Sequence, residues 1–386
     1  MRDAAFCLAL YWCTLSAAVA GESILLNPTK RAYTDELVRL KTPAPGAAGT
    51  FIVKQDGAEI TYQVEEIGGK QWIRVCSSFE PGASHKYEVV SGQPKAAQPR
   101  VAVRRDGNCY VLDNSLAAVK VPADGQAGMP DLPGPVVGVK LGDKWVGGSF
   151  WHTSSPLKKF TATVVGDGTI LGKVRLRYEF DGLAGIDGNV PAFAQFDVSL
   201  GPGWSHVEIF ERHEMARDDY WELEASKGWS PRQGVSKAFS GGAGSGLVGG
   251  KVDPQRDLKP GGLPYQQPDL FINLFPRWNQ HYKDGWYFAA TDGTSYVGAV
   301  VGGAGRWVWP HSNSVQAVVK DSGDYAGLRG STWKGQRLWW LFAPTLAACN
   351  VEYVARYSWE SLDKLNHDFI LDWPGQPAVP AARGSF

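Results

Sequence analysis

Short segments in which β-branched or aromatic residues alternate with polar residues recur through most of the chain, and glycine and proline clusters separate them. Alternation with a period of two is typical of strands, and helical periodicity does not intervene. The pattern therefore predicts an all-β protein of packed antiparallel sheets. The predicted strands are Leu37–Leu40, Phe51–Val53, Ile60–Val64, Trp72–Val75, Lys86–Val90, Val101–Val103, Tyr110–Leu112, Leu116–Val121, Phe160–Val165, Val174–Phe180, Phe193–Val198, Trp286–Phe288, Tyr296–Val301, Ser314–Val319 and Arg337–Phe342.

Spacing and composition divide the chain into four parts. Residues 21–98 predict a small β-sandwich that ends in a polar, proline-containing linker. Residues 99–350 predict a large antiparallel two-sheet sandwich. Residues 351–386 predict a short helix, with Trp359, Leu362, Leu365 and Phe369 on its apolar side, and then a Pro/Ala-rich linker.

The first part, residues 1–20, has the composition of a secretory signal peptide. Arg2 precedes an apolar run from Ala4 to Ala18, and Ala18-Val19-Ala20 forms a small-residue cleavage site before Gly21. The alternative is a membrane anchor, but the run is shorter than the roughly 20 apolar residues that span a bilayer. We expect a secreted or periplasmic protein that is not inserted in a membrane after cleavage.

The charge of the chain limits its possible partners, and its cysteine content limits the possible disulfides and zinc sites. The chain has 39 basic and 39 acidic residues with no long run of either sign, which argues against a nucleic-acid partner. Three cysteines follow the signal peptide, Cys76, Cys109 and Cys349, and an odd number leaves at least one thiol free. A Cys76–Cys109 bridge stays open, although buried free thiols are favoured and the spacing fits no zinc site.

We expect no cofactor. Calcium is a weaker alternative, because Asp181, Asp187 and Asn189 carry oxygen ligands in one segment. Their Asp-Gly and Gly-Asn pairs are also ordinary turn sequences, and no EF-hand spacing is present.

The chain is rich in tryptophan, with 16 residues of which only Trp12 precedes Gly21. Aromatic faces stack on the apolar faces of sugar rings, so an exported, tryptophan-rich β protein is expected to bind a polysaccharide. The preferred sugar-contacting segment lies between Phe275 and Tyr287, where an arginine could pair with a uronate carboxylate. Its candidate residues are Arg277, Trp278, His281, Tyr282 and Trp286. The alternative is that these aromatic residues fill the core.

A second aromatic group contains Trp307 and Trp309, which alternation places on one strand face. Two tryptophans on an exposed face would form a sugar platform, whereas on a buried face they would belong to the core.

The densest polar cluster runs from His206 to Glu214. On a strand, His206, Glu208, Arg212 and Glu214 would share a face and could supply an acid and a base or hold a divalent cation. A solvated strand face with compensating charges explains the same pattern.

Three features together resemble a known family: the small N-terminal sandwich, the strand pair in Tyr110–Pro122, and the ending Leu365–Pro374. The chain resembles the N-terminal region of YetA-like, exo-rhamnogalacturonan-lyase-like secreted bacterial proteins. The resemblance implies β-sandwich domains that precede an α/α-toroid domain, which is missing here, and a pectin-like or rhamnogalacturonan-like substrate. It carries over no catalytic residue.

Three functions follow as expectations. The first is the β-sandwich portion of an exported polysaccharide-processing protein, which binds carbohydrate or supports a catalytic domain that this chain lacks. The second is a self-sufficient polysaccharide lyase that uses the Arg277–Tyr287 and His206–His213 segments. The third is a structural or adhesion module without turnover.

Overall fold

The computed structural model describes residues 21–26, 33–42, 51–67, 70–124, 133–153, 155–184, 191–204, 206–215, 219–229, 233–239, 247–248, 269–273, 285–291, 295–303, 315–320, 326–331, 334–342 and 377–378. Every regular element in these ranges is a strand, so the all-β prediction is confirmed. The chain forms two compact units. Unit 1 comprises Met1–Gln98 with Asp368–Phe386, and unit 2 comprises Pro99–His367.

Unit 1 is a small sandwich of a five-stranded sheet in the order β27-β1-β7-β3-β4 and a three-stranded sheet in the order β2-β6-β5. Its strands are β1 Gly21–Leu26, β2 Tyr33–Lys41, β3 Phe51–Gln55, β4 Ala58–Ile60, β5 Tyr62–Ile67, β6 Lys70–Phe79, β7 Ser84–Ser91 and, late in the chain, β27 Pro377–Ala378.

Aromatic residues join the two sheets of unit 1. The Tyr62 ring stacks on Phe51 at 4.8 Å between centroids, and the Tyr62 hydroxyl donates to the Phe51 carbonyl at 2.8 Å. The buried Tyr87 hydroxyl donates to Ser77 Oγ at 2.9 Å. The core therefore gains polar links that fix the register of one sheet on the other.

Unit 2 contains three sheets. The small sheet has the order β12-β11-β10-β9-β8, the front sheet β13-β18-β25-β24-β21, and the back sheet β14-β15-β16-β17-β26-β23-β22-β19-β20. The strands are β8 Ala102–Asp106, β9 Cys109–Asp113, β10 Ala118–Pro122, β11 Gly138–Leu141, β12 Lys144–Val146, β13 Ser149–His152, β14 Leu157–Asp167, β15 Gly172–Ala184, β16 Pro191–Leu200, β17 His206–Glu214, β18 Tyr220–Glu224, β19 Gln233–Phe239, β20 Leu247–Val248, β21 Asp269–Asn273, β22 Gly285–Thr291, β23 Tyr296–Gly303, β24 Val315–Lys320, β25 Ala326–Ser331 and β26 Lys334–Phe342.

The front and back sheets enclose an aromatic core. Trp221 of the front sheet meets Trp339 of the back sheet at 4.7 Å and Phe196 at 5.5 Å between ring centroids. The small sheet contributes Leu112 and Val119 to the same core, and both are fully buried. A two-sheet sandwich was expected for this region, and the small sheet adds a third layer because its apolar residues cover part of the core.

Asn114 ties the small sheet to the connection between β16 and β17. Its Nδ2 donates to the carbonyls of Gly201 at 2.6 Å and Trp204 at 2.8 Å, while its Oδ1 accepts the N–H groups of Leu116 and Ala117. A buried amide that satisfies both its donors and its acceptor stabilises two loops at once.

Several predicted features lie partly or wholly outside the described residues. The helix over Ser358–Phe369 and Cys349 are among them. Cys76 and Cys109 are half-buried thiols that are not bonded to each other. In the described part of the chain, no helix is long and apolar enough to cross a membrane.

Candidate functional site

Most of the predicted sugar-contacting residues lie outside the described ranges, namely Arg277, Trp278, His281, Tyr282, Trp307 and Trp309. Trp286 lies in β22, of which the backbone is described. The strand register places Trp286 opposite Val301, Val301 opposite Trp339, and Trp339 opposite Ile209. Trp339 and Ile209 are each 1% exposed. Trp286 thus occupies a register position in a row of core residues.

The two predicted aromatic segments adjoin, in the sequence, two strands of the front sheet. The segment with Arg277 and Trp278 follows β21, which ends at Asn273. The segment with Trp307 and Trp309 precedes β24, which begins at Val315. Asn273 pairs directly with Gln316. The strands that border the two segments in the sequence are therefore neighbours in the front sheet.

The four residues predicted to share a face of β17 do so, but not all of them are exposed. Alternation does place His206, Glu208, Arg212 and Glu214 on one side of the strand, but His206 is only 3% exposed. Its ring stacks on Trp204 at 5.1 Å with an angle of 11° between planes. Burial lowers the pKa of His206 to about 3, so the imidazole is neutral at physiological pH.

The other face of β17 carries a buried glutamate–histidine pair that the sequence pattern did not reveal. Glu211 and His213 point into the core with Val207 and Ile209, and their side chains are 0% exposed. His213 Nδ1 lies 2.8 Å from Glu211 Oε1, and the Trp339 indole donates to Glu211 Oε2 at 2.7 Å. The expectation that the His206–His213 segment supplies an acid and a base to a glycan is wrong, because its histidines are buried and a polymer cannot reach them.

Of the three predicted calcium ligands, Asp181 lies in the described residues, and the calcium alternative stays a prediction. Asp181 is exposed, with Lys158 Nζ at 3.7 Å, and Asp187 and Asn189 lie outside the described ranges. Among the described residues, no three or more His, Cys, Asp or Glu side chains form a group that could hold a metal ion.

The front sheet has one apolar and one polar face. Trp151, Trp221 and Leu223 contact the core. The alternate residues lie on the opposite face, where the register pairs Phe150 with Glu222 and His152 with Tyr220. We call this side of the sheet the polar face.

A buried carboxylate lies at the centre of the polar face. The Glu222 side chain is 2% exposed, and its Oε2 lies 3.2 Å from Nε2 of His152, which is 35% exposed. The His152 ring stacks on Tyr220 at 4.2 Å and contacts Phe150 at 4.9 Å between centroids. A carboxylate withdrawn from water needs a partner of opposite charge or several donors, and His152 is a neighbour of Glu222 that also reaches the surface.

The register extends this arrangement across the whole sheet. Arg329 of β25 pairs with Glu222, Gln316 of β24 pairs with Arg329, and Asn273 of β21 pairs with Gln316. Directly paired residues lie on the same face of a sheet. The register row therefore runs through Phe150, Glu222, Arg329, Gln316 and Asn273 across the five strands.

Sequence analysis did not select Phe150, His152, Tyr220 or Glu222. The signal was present in Tyr220-Trp221-Glu222-Leu223-Glu224, where apolar and polar residues alternate. It could not identify a site, because β13 and β18 are about 70 residues apart and their pairing is not encoded locally.

Comparisons with known proteins give a structural likeness only. No protein-family model and no curated protein matches the chain. Two solved structures from Enterococcus faecalis are similar, each with a TM-score of 0.49 and 89% of this chain covered. One is described as a protein in the glycosyl hydrolase family 38 (9% identity) and the other as an alpha-mannosidase (10% identity).

This chain spans 46% and 45% of the lengths of those two proteins. A likeness at this identity and TM-score does not indicate an activity. The resemblance to YetA-like proteins stays a prediction.

Proposed function

We propose that this chain is the β-sandwich region of an exported carbohydrate-processing protein, and that the polar face of the front sheet contacts the sugar. The observation that carries the proposal is the buried Glu222 beside the half-exposed His152 and Tyr220. An electronegative centre framed by aromatic rings has the composition of a sugar-binding site.

The chemistry of the row supports a sugar as ligand. Sugar hydroxyls donate to carboxylate oxygens and accept from guanidinium and amide groups, and residues of all three types occupy successive register positions from Glu222 to Asn273. Phe150 and Tyr220 add ring faces for the apolar side of a pyranose. Small ligands are usually held in enclosed pockets, so we propose an extended polymer as the ligand of this sheet face.

The predicted aromatic segments extend the same proposal. The sequence pattern selected Arg277, Trp278, His281, Tyr282, Trp307 and Trp309, which lie outside the described residues. We include them in the proposed surface. Trp286 is left out, because its register position lies in a row of core residues.

A pectic or rhamnogalacturonan-like polymer is the proposed substrate class, as the resemblance implies, with catalysis supplied by a further α/α-toroid domain. Export is part of the proposal, and β1 begins at Gly21, the residue after the predicted cleavage site. An exported protein would encounter polysaccharides of this class outside the cytoplasm.

Lyase activity within the chain is the second candidate. Eliminative cleavage of a uronate needs a base for the C5 proton and a cation beside the sugar carboxylate. His152 and Tyr220 supply candidate bases on the polar face, and Arg329 occupies the register position beside Glu222. Cleavage would release an unsaturated uronate that absorbs ultraviolet light. Absence of that absorbance, and of new reducing ends, over a pectic panel would rule out the lyase candidate and leave binding untouched.

Retention on immobilised polysaccharides tests the proposed function. The wild-type chain should be retained by at least one glycan in a panel of pectic, other uronate-containing and neutral polymers. Tyr220→Ala should weaken that retention by about 1–3 kcal/mol, the usual range for loss of a stacking or anchoring aromatic residue.

Tyr110→Ala is the matched control, because Tyr110 is a half-buried tyrosine of the small sheet, away from the polar face. Its retention should equal that of the wild type. A wild-type chain that no glycan retains would reject carbohydrate binding, and equal losses in both variants would place the binding elsewhere. A structural or adhesion module predicts neither retention nor turnover.

A further inference from the structure

Strand β14 forms an edge of the back sheet. Among the described residues its one strand partner is β15. The strand is 11 residues long, and most of its side chains are exposed. Val164 and Val165 are each 38% exposed and are two of the three exposed large hydrophobic residues in the described part of the chain.

The middle of β14 lacks the features that keep edge strands apart. Natural edges are protected by prolines, inward charges or bulges. In β14 register shifts occur only near the ends, between Leu157 and Lys159 and between Val164 and Gly166. From Phe160 to Val164 the strand is regular and uncharged, and threonine and valine favour extended structure.

The inner face of this edge continues the core. Phe160 and Ala162 pack against the core of unit 2, and Val164 pairs with Val174, which is fully buried. An apolar row that reaches the edge of a sheet and is still partly exposed there can be extended by a further strand.

We propose that β14 pairs antiparallel with β14 of a second copy of this chain, about a two-fold axis at Ala162. This register places Phe160 opposite Val164 of the second copy and Thr161 opposite Thr163, twice by symmetry. The apolar row then runs through the junction on the inner face, and threonine pairs line the outer face.

Charge complementarity favours a second copy as the occupant. Lys158 and Lys159 are exposed at one end of β14, and Asp167 is exposed at the other. Antiparallel pairing brings the basic end of each copy to the acidic end of its partner. Two copies of β14 are thus complementary in their apolar residues, their backbone hydrogen bonds and their charges. An unrelated strand would be complementary in all three respects only by coincidence.

Sedimentation velocity on the full chain tests this contact, at concentrations from about 1 to about 100 μM, where an interface of this small size should dissociate measurably. We expect a concentration-dependent dimer. A chain that stays monomeric over this range would overturn the proposal.

Paired substitutions at the exposed Thr161 and Thr163 test the register. Thr161→Lys with Thr163→Lys puts like charges opposite each other twice, so the dissociation constant should rise by about tenfold or more. Thr161→Lys with Thr163→Glu makes both cross-strand pairs complementary and should restore dimerisation. The two double variants alter the same two exposed positions, but residue 163 also pairs with Arg175 within the chain. Thermal melts of both variants therefore accompany the sedimentation measurement, and the comparison is made where both remain folded. A dimer unaffected by the lysine pair, or weakened equally by both variants, would place the contact elsewhere.

Discussion

Two glutamates of unit 2 are almost equally buried but have different surroundings. Glu211 is 0% exposed and has a fully buried histidine and an indole N–H as neighbours inside the core. Glu222 is 1% exposed, and its neighbour His152 is half-exposed on the polar face. Because His152 connects Glu222 to the surface, whereas both neighbours of Glu211 are buried, we assign Glu211 to stability and the Glu222–His152 pair to the proposed binding face.

Glu211→Gln should destabilise unit 2. The substitution removes the charge that faces His213, and breaking a buried pair by changing one partner costs about 3–5 kcal/mol. Chemical denaturation measures the change in the free energy of unfolding. Glu208→Gln, on the half-buried outer face of the same strand, is the control and should cost less than about 1 kcal/mol. If both substitutions lower the free energy of unfolding equally, the Glu211–His213 pair stabilises unit 2 no more than Glu208 does.

His206 should make stability depend on pH. Its pKa is about 3 in the folded chain because of burial, against an ordinary value of 6.5. The unfolded chain therefore binds a proton that the folded chain does not, and this group's contribution is full above pH 6.5 and lost as the pH falls from 6.5 towards 3.

The loss attributable to His206 is about 1.4 kcal/mol per pH unit in that window. His206→Gln removes the titrating group, so its free energy of unfolding should fall less steeply than that of the wild type between pH 6.5 and the onset of acid unfolding. If the free energies of unfolding of the two proteins fall equally steeply with pH, His206 is not a buried neutral histidine.

At the scale of strands, the local pattern predicted which segments form strands, but it did not predict which side of each strand faces the core. Segments such as Val174–Phe180 and Phe193–Val198 alternate cleanly, and they lie within β15 and β16. In β17 both alternating sets contain charged residues, so the pattern could not tell which side faces the core. The buried Glu211–His213 pair depends on Trp339, 128 residues away from Glu211 in sequence, and no local signal encodes that contact.

Trp286→Ala tests whether Trp286 belongs to the core, as its strand register indicates. The sequence pattern alone could not distinguish the core from a sugar-binding surface. Since Trp286 occupies the row of Trp339 and Ile209, the substitution should cost about 3–5 kcal/mol of stability, as for a core tryptophan. Thermal melts would detect this loss. Trp145→Ala is the comparison, because Trp145 is only half-buried in β12 and should cost less. An unchanged melting temperature for Trp286→Ala, with weakened glycan retention, would return Trp286 to the sugar-binding surface.

At the scale of the whole molecule, the sequence predicted an all-β chain and a carbohydrate ligand but not the surface proposed to bind it. The polar face is assembled from β13, β18, β25, β24 and β21, whose residues lie between Ser149 and Ser331. Each strand contributes one residue to the row that contains Glu222. Such a row exists only after long-range pairing, whereas tryptophan content and alternation can be recognised in the unfolded sequence.

Hydrogen exchange in the presence of a retained glycan tests the sugar-binding face most directly, because exchange reports which backbone segments a ligand protects. At saturating glycan, exchange should slow in peptides that cover Ser149–His152 and Tyr220–Glu224, and it should be unchanged in β6 and β7 of unit 1. Protection confined to unit 1 or to the small sheet, with none in β13 and β18, would contradict a sugar-binding role for the polar face.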